Sequence, residues 1–178
     1  MMNPVSSHVV LVNEFDEPIG TMEKMEAHEK ALLHRAFSVF IFNDQGEMLL
    51  QRRSLKKYHS GGLWTNACCS HPYPDEDILH AAVRRTKEEL GIDVELKKAF
   101  SFTYKAVLDA GLTEHEFDHV FIGHYQGNIS PDINEVGDYA YLDMQYLQSH
   151  VAEFPEKYTI WFRIALPQLQ DYLSKSAQ

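Results

Sequence analysis

Short apolar runs broken by turn residues fill the first half of the chain. "HVVLV" (His8–Val12) predicts a strand that leads into the turn-rich "NEFDEPIG". The next stretch, "GTMEKMEAHEKALLHRA", is mixed and polar and predicts no definite element. "AFSVFIF" (36–42) and "EMLLQRR" (47–53) flank "NDQG" and predict a hairpin. "PDEDILHAAVRRTKEELG" (74–91) is the clearest helix: Pro74 and the acidic residues after it suit a first turn, and Gly91 suits its C′ position. Ile78, Leu79, Ala82, Val83 and Leu90 form its apolar face. "FSFTYKAVLD" and "EHEFDHVFIGHY" predict a second strand pair around "AGLT". "YAYLDMQYLQSHVA" and "TIWFRIALPQLQDYL" predict a helical close. Strands enclosing one good helix, with more helix at the end, imply an α+β or α/β sandwich.

The 178 residues suit one domain spanning 1–178, since no repeat, low-complexity tract or long linker divides them. The composition, 44% hydrophobic and 24% charged, is that of a soluble globular protein, and no apolar run approaches the roughly 20 residues of a membrane span. No export signal is visible in "MMNPVSSHVVLVNEFDEP", so the cytosol is the expected location. The net charge of −10 argues against a nucleic-acid footprint but leaves room for a small anion held by local cations. Both cysteines, Cys68 and Cys69, are adjacent. Neighbouring Cα atoms lie about 3.8 Å apart, closer than the roughly 4.4–6.8 Å of ordinary disulfides, so both are expected to be thiols.

Several positions invite chemistry. In a strand, Glu114 and Glu116 share a face while His115 points away. Two such carboxylates are either solvated or bridged by a divalent cation, for which His28, His34 and His71 are candidate co-ligands. Glu88 and Glu89 sit at the helix end that disfavours negative charge, a local conflict of the kind that marks sites. Arg52, Arg53, Lys56 and Lys57 form either a solvated basic face or part of a diphosphate clamp.

"HSGGLWTNACCSHP" followed by "DEDILHAAVRRTKEELGI" closely resembles the type I isopentenyl-diphosphate isomerases, a branch of the Nudix fold, and the similarity runs from "MEKMEAHEKALLHRAFSVFIFN" through "TEHEFDHVF" to "TIWF". The general Nudix pattern appears in altered form: Ser70 stands at its Gly, Glu76 at its first Glu, Arg84-Arg85 at its Arg-Glu pair, and Glu88-Glu89-Leu90-Gly91 at its end. The resemblance implies a Nudix-type α/β/α sandwich with a mixed sheet. It also implies an isomerase of isoprenoid biosynthesis that interconverts isopentenyl and dimethylallyl diphosphate through a tertiary carbocation. Residue by residue, it implies Cys69 and Glu116 as the acid–base pair, with Tyr104 assisting, and His28, His34, His71, Glu114 and Glu116 as ligands of one divalent metal. Glu89 would hold Mg²⁺ carried with the substrate, and Lys24, Arg53, Lys57 and Arg85 the diphosphate. Trp161 would face the carbocation, a cation–π contact worth about 2 kcal/mol when desolvated, although an ordinary core role also suits a tryptophan there. Mn²⁺ or Mg²⁺ suits the three imidazoles and two carboxylates; Zn²⁺, which prefers four ligands and sulfur, is a less natural resident.

The expected enzyme is a monomer acting on a small prenyl diphosphate. A Nudix diphosphate hydrolase is the alternative, and Arg85 at a position where hydrolases place a metal-binding glutamate disfavours it. A prenyl-diphosphate sensor without catalysis is a third reading.

Overall fold

The computed structural model describes residues 7–176. Its elements run β1 (His8–Val12), β2 (Pro18–Glu23), α1 (Lys24–Glu29), β3 (His34–Phe42), β4 (Met48–Arg53), β5 (Trp64–Asn66), β6 (Cys68–Ser70), α2 (Ile78–Leu90), β7 (Leu96–Val107), β8 (Thr113–His124), β9 (Val136–Leu142), α3 (Met144–Glu153) and α4 (Ile160–Ser176).

β3 is the centre of the sheet. Its residues are almost continuously buried, the pattern of a strand covered on both faces. It pairs in parallel with β8 over nine residue pairs, from His34↔Glu116 to Phe42↔His124, and antiparallel with β6 through Phe37↔Ser70, Ser38↔Cys69 and Val39↔Cys68. β8 in turn carries β7 antiparallel, with Tyr104 opposite Glu116. Alternate β3 residues divide the interior. Phe37, Val39 and Ile41 pack with Ala81, Ala82 and Leu90 of α2, whereas Phe40 packs with Trp161, Phe162 and Leu166 of α4. Each of these large side chains contributes about 1.5–3 kcal/mol by burial. The result is the expected α/β/α sandwich around a mixed sheet, in the α+β class.

Three local expectations are corrected. "NDQG" does make a turn, with Asn43 N donating to Glu47 O, but β3 and β4 then part, sharing the single pair Phe42↔Met48. β4 instead pairs with β5 and β9. Residues 139–142, expected to be helical, are therefore strand, because "YAYL" fills the edge that β4 leaves open. Asp143 marks the boundary: its carboxylate caps α3 by accepting from Gln145 N and Tyr146 N. α2 begins at Ile78 rather than Pro74, since Asp75 adopts φ 65° in a turn and Asp77 is the N-cap, accepting from His80 N. The undefined polar stretch resolves into β2, α1 and the start of β3.

Gly91 ends α2 at φ 69°, as its sequence position predicts. The loop after β8 docks there: Ser130 N donates to Leu90 O and Asp132 N to Glu89 O, satisfying carbonyls the helix leaves open. A Cβ at Gly91 would lie 2.4 Å from Ser130 O. Gly91→Ala combines left-handed strain of about 1–2 kcal/mol with displacement of this loop. Urea unfolding should show a loss of about 2 kcal/mol or more; an unchanged midpoint would contradict the docking.

Candidate active site

The strand period places Glu114 and Glu116 on the same side of β8, while His115 turns away and bonds Ala31 O through Nδ1. The β3–β8 register sets His34 beside Glu116, α1 carries His28 to Glu114, and the chain leaving β6 brings in His71. His28 Nε2 lies 3.1 Å from Glu114 Oε2, His71 Nε2 2.8 Å from Glu116 Oε1, and His34 Nε2 3.2 Å from His71 Nε2. Tyr104 OH, on β7, donates to Glu116 Oε2 at 2.7 Å.

The tautomers follow from the outer contacts. His28 Nδ1 donates to Lys24 O and His34 Nδ1 to Leu32 O, leaving both Nε2 lone pairs aimed inward. Burial and the neighbouring imidazoles push His71 well down, so it is neutral; the Glu114 hydrogen bond raises His28 against the opposing pull of burial. Inward lone pairs and two buried carboxylates repel unless a cation lies among them. The five ligand atoms fall within 4.8 Å of one another, and this donor set fits a divalent metal.

A pocket opens beside this cluster. Cys69, Glu116, Tyr104, Trp161, Lys24, Arg53, Lys57, Arg85, Glu89, His71 and Glu114 all line it, while His28 and His34 lie fully buried behind it. Every residue to which the resemblance gives a role thus converges on one place. The basic cluster splits: Arg53 and Lys57 face the pocket, whereas Arg52 pairs with Asp138 and Lys56 with Asn134 outside it. Two guanidinium donors, Arg53 Nε and Arg85 Nε, are buried without an acceptor among the described residues. Burial, Arg85 and Arg53 also pull the Lys24 ammonium below the usual lysine range. Such under-neutralised positive charge suits an anion.

The neighbouring thiols diverge. Cys68 is fully buried against α2, and Cys69 turns to the pocket on the opposite face. Asn66 Nδ2 donates to Val39 O and Cys68 O, which fixes its Oδ1 toward Cys69. An acceptor there requires the sulfur to donate, at 3.0 Å, so the resting group is a thiol. Burial, reinforced by Asp118, likewise pushes the Cys69 thiol well above its ordinary range. Thr65 Oγ1 also donates to Asn66 Oδ1 and accepts from Trp161 Nε1, both at 3.0 Å, so one hydrogen-bonded chain positions sulfur and indole together. The Arg53 guanidinium lies 5.1 Å from the Trp161 ring centroid.

The helix-end conflict at Glu89 is resolved by Arg85 Nη2 at 2.6 Å and by buried Gln51, whose Nε2 donates to both Glu89 Oε2 and Ala67 O. Glu76 forms a two-pronged pair with Arg84 at 2.7 and 2.8 Å. Sequence reasoning missed Gln51, Asn66, Tyr58 and His59. The last two line the pocket, and burial and Arg53 push His59 down to about 3, leaving it neutral. Only "WTN" carried a signal for any of them, through its place beside the cysteines.

A strand-centred sandwich in which Glu89, at the Glu-Glu-Leu-Gly end of α2, faces a cluster of residues that could hold a metal is the arrangement of a NUDIX domain, and residues 32–162 match the NUDIX domain family. Solved structures show the same fold: a Deinococcus radiodurans protein (TM-score 0.68, 21% identity, covering 82% of this chain and 89% of that one) and the MutT protein of Methanosarcina mazei (TM-score 0.66, 19% identity, covering 82% and 96%). Within the class, the chain is 47% identical over 168 residues to the isopentenyl-diphosphate Delta-isomerase of Pectobacterium atrosepticum (93% of each chain). It is 46% identical over 165 residues to isopentenyl-diphosphate Delta-isomerase 2 of Aromatoleum aromaticum (93% of this chain, 87% of that one). The chain belongs to the isopentenyl-diphosphate Delta-isomerase branch of the NUDIX family.

Metal-stripped protein should gain stability as Mn²⁺ is added, by about 2.7 kcal/mol at a hundredfold excess over Kd, seen as a rise in melting temperature. His71→Ala and Glu114→Gln should each lose that response. It should also fade as the pH falls through the imidazole range, because imidazoles must be deprotonated to bind and the raised His28 is protonated first. A melting temperature indifferent to divalent ions would contradict the assignment.

Proposed function

We propose that this chain interconverts isopentenyl diphosphate and dimethylallyl diphosphate by adding a proton to one alkene carbon and removing one from another. Protons balance and no oxidant is needed. The observation that supports this most is a single pocket in which the Cys69 thiol and the hydrogen-bonded Glu116–Tyr104 pair come from separate strands, beside Trp161 and two arginines whose Nε donors have no acceptor among the described residues.

An unactivated alkene is a poor base, so the route needs a strong local acid, a base across the substrate and shelter from water. Cys69 and Glu116 take these roles, with Tyr104 passing a proton at Glu116 Oε2. The indole of Trp161, held through Nε1, offers an aromatic face to the tertiary carbocation without a nucleophile to trap it. Lys24, Arg53, Lys57 and Arg85, which line the pocket, would hold the diphosphate, and Glu89 beside them would hold the Mg²⁺ that accompanies it. His28, His34, His71, Glu114 and Glu116 would hold the resident metal, Mn²⁺ or Mg²⁺ in preference to Zn²⁺. Bound there, it supplies neutralisation of the paired carboxylates and polarisation of the Glu116 carboxyl. Free thiols at Cys68 and Cys69 suit the cytosol, where we place the enzyme as a one-domain monomer without a nucleic-acid partner. No helix among the described residues is long and apolar enough to cross a membrane.

A hydrolase would place a further metal-binding glutamate on α2 at position 85, whereas Arg85 stands there and pairs with Glu88 and Glu89. Turnover of isopentenyl diphosphate should fall about 10³-fold or more in Cys69→Ala and in Glu116→Gln, while Cys68→Ala stays within a few-fold of wild type. Phosphate release from nucleoside diphosphate derivatives should be absent. An unimpaired Cys69→Ala enzyme, or brisk phosphate release, would overturn the reading.

A further inference from the structure

Lys57 and Arg85, two of the four cations given above to the diphosphate, share an internal anion that the proposed reaction does not use. Lys57 Nζ donates to Glu135 Oε2, and Arg85 Nη2 lies 3.7 Å from the same oxygen. Glu135 is the one ion-pair partner of Lys57 among the described residues. Its backbone is anchored on both sides: its N–H donates to Asp132 O, and its carbonyl accepts from Ser54 N, in the loop that carries Lys57. The carboxylate is therefore a fixture of the site. Arg85 does not need it for placement, being held by Glu88 at 2.7 Å and Glu89 at 2.6 Å. Burial raises the Glu135 carboxyl, but the Lys57 hydrogen bond and Arg85 outweigh it and hold the group below the usual glutamate range, ionised at neutral pH.

We propose that Glu135 is a built-in counter-anion of the diphosphate subsite, one that occupies Lys57 and Arg85 in the free enzyme and yields them when a diphosphate enters. The inference rests on the diphosphate reading given above. Its purpose follows from the chemistry. Substrate and product carry the same diphosphate, so affinity for that group is uniform along the reaction and does nothing for the chemical step. Lys24, Arg53, Lys57 and Arg85, unopposed, would retain the product. A fixed carboxylate that competes for two of them weakens both complexes and speeds release.

The test is calorimetric titration of inorganic pyrophosphate into the full-length, Mg²⁺-supplemented protein, with steady-state kinetics alongside. Glu135→Gln and Glu135→Ala should each bind pyrophosphate about tenfold tighter, the scale of one partly buried charge interaction, with KM lowered by a similar factor and no rise in kcat. Lys57→Met should cost more pyrophosphate affinity in the Glu135→Gln background than in wild type, because Lys57 is no longer shared there. Equal or weaker binding by the Glu135 variants, with wild type still binding, would overturn the inference and make Glu135 an organiser of Lys57. Failure of wild type itself to bind pyrophosphate would overturn the diphosphate reading, and this inference with it.

Discussion

The parallel pairing of β3 with β8, in the register that sets His34 beside Glu116, is the constraint on which the rest of the site depends. With Tyr104 opposite Glu116 on the other flank, three strands present one row: tyrosine, carboxylate, imidazole. A slip of one residue would turn Glu114 and Glu116 to the opposite face and bring His115 inward. That slip is resisted over the whole length of β3, because it would also exchange the residues packed on α2 with those packed on α4. The two hydrophobic layers thus fix ångström-scale positions of titratable groups. β6 extends the arrangement by placing Cys69 opposite Ser38 on the pocket side of β3.

The site concentrates features that a purely structural interior would avoid. Two glutamates and Asp118 lie along one buried side of β8, three imidazoles face one another, and two guanidinium donors lack acceptors among the described residues. Each is costly alone. They become mutually compatible once a divalent cation sits among the acids and an anion among the bases. The −10 net charge is therefore a poor guide to the ligand: the pocket separates its own charges into an acidic side that suits a cation and a basic side that suits an anion. Helix α2 serves the basic side, presenting Arg85 and Glu89 one turn apart while Gln51 holds the carboxylate from the sheet. Such local departures from ordinary stability rules are where functional sites are expected.

Much of this was legible in the sequence because it is local. The α2 face, the Gly91 cap and the strand period at Glu114 and Glu116 need only neighbours along the chain. The altered motif around Cys69 and Glu89 carried the family. Apart from the start of α2, set by a local turn at Asp75, the misreadings were of long-range pairing. β9 looks helical because aromatic residues run into a capped helix, and only the vacant edge of β4 makes it a strand. The 36–53 hairpin has the right turn, yet tertiary partners pull its strands apart. Gln51, His59 and Glu135 are polar residues whose roles depend on what lies across a fold boundary, and nothing in their immediate neighbours announces it.

The measurement that tests the central claim most directly is proton NMR of isopentenyl diphosphate incubated with the purified protein and Mg²⁺ in deuterated water. The account predicts dimethylallyl diphosphate carrying solvent deuterium, the signature of proton addition and elimination within one pocket. Unchanged substrate without deuterium exchange, in protein whose metal content is confirmed, would contradict it.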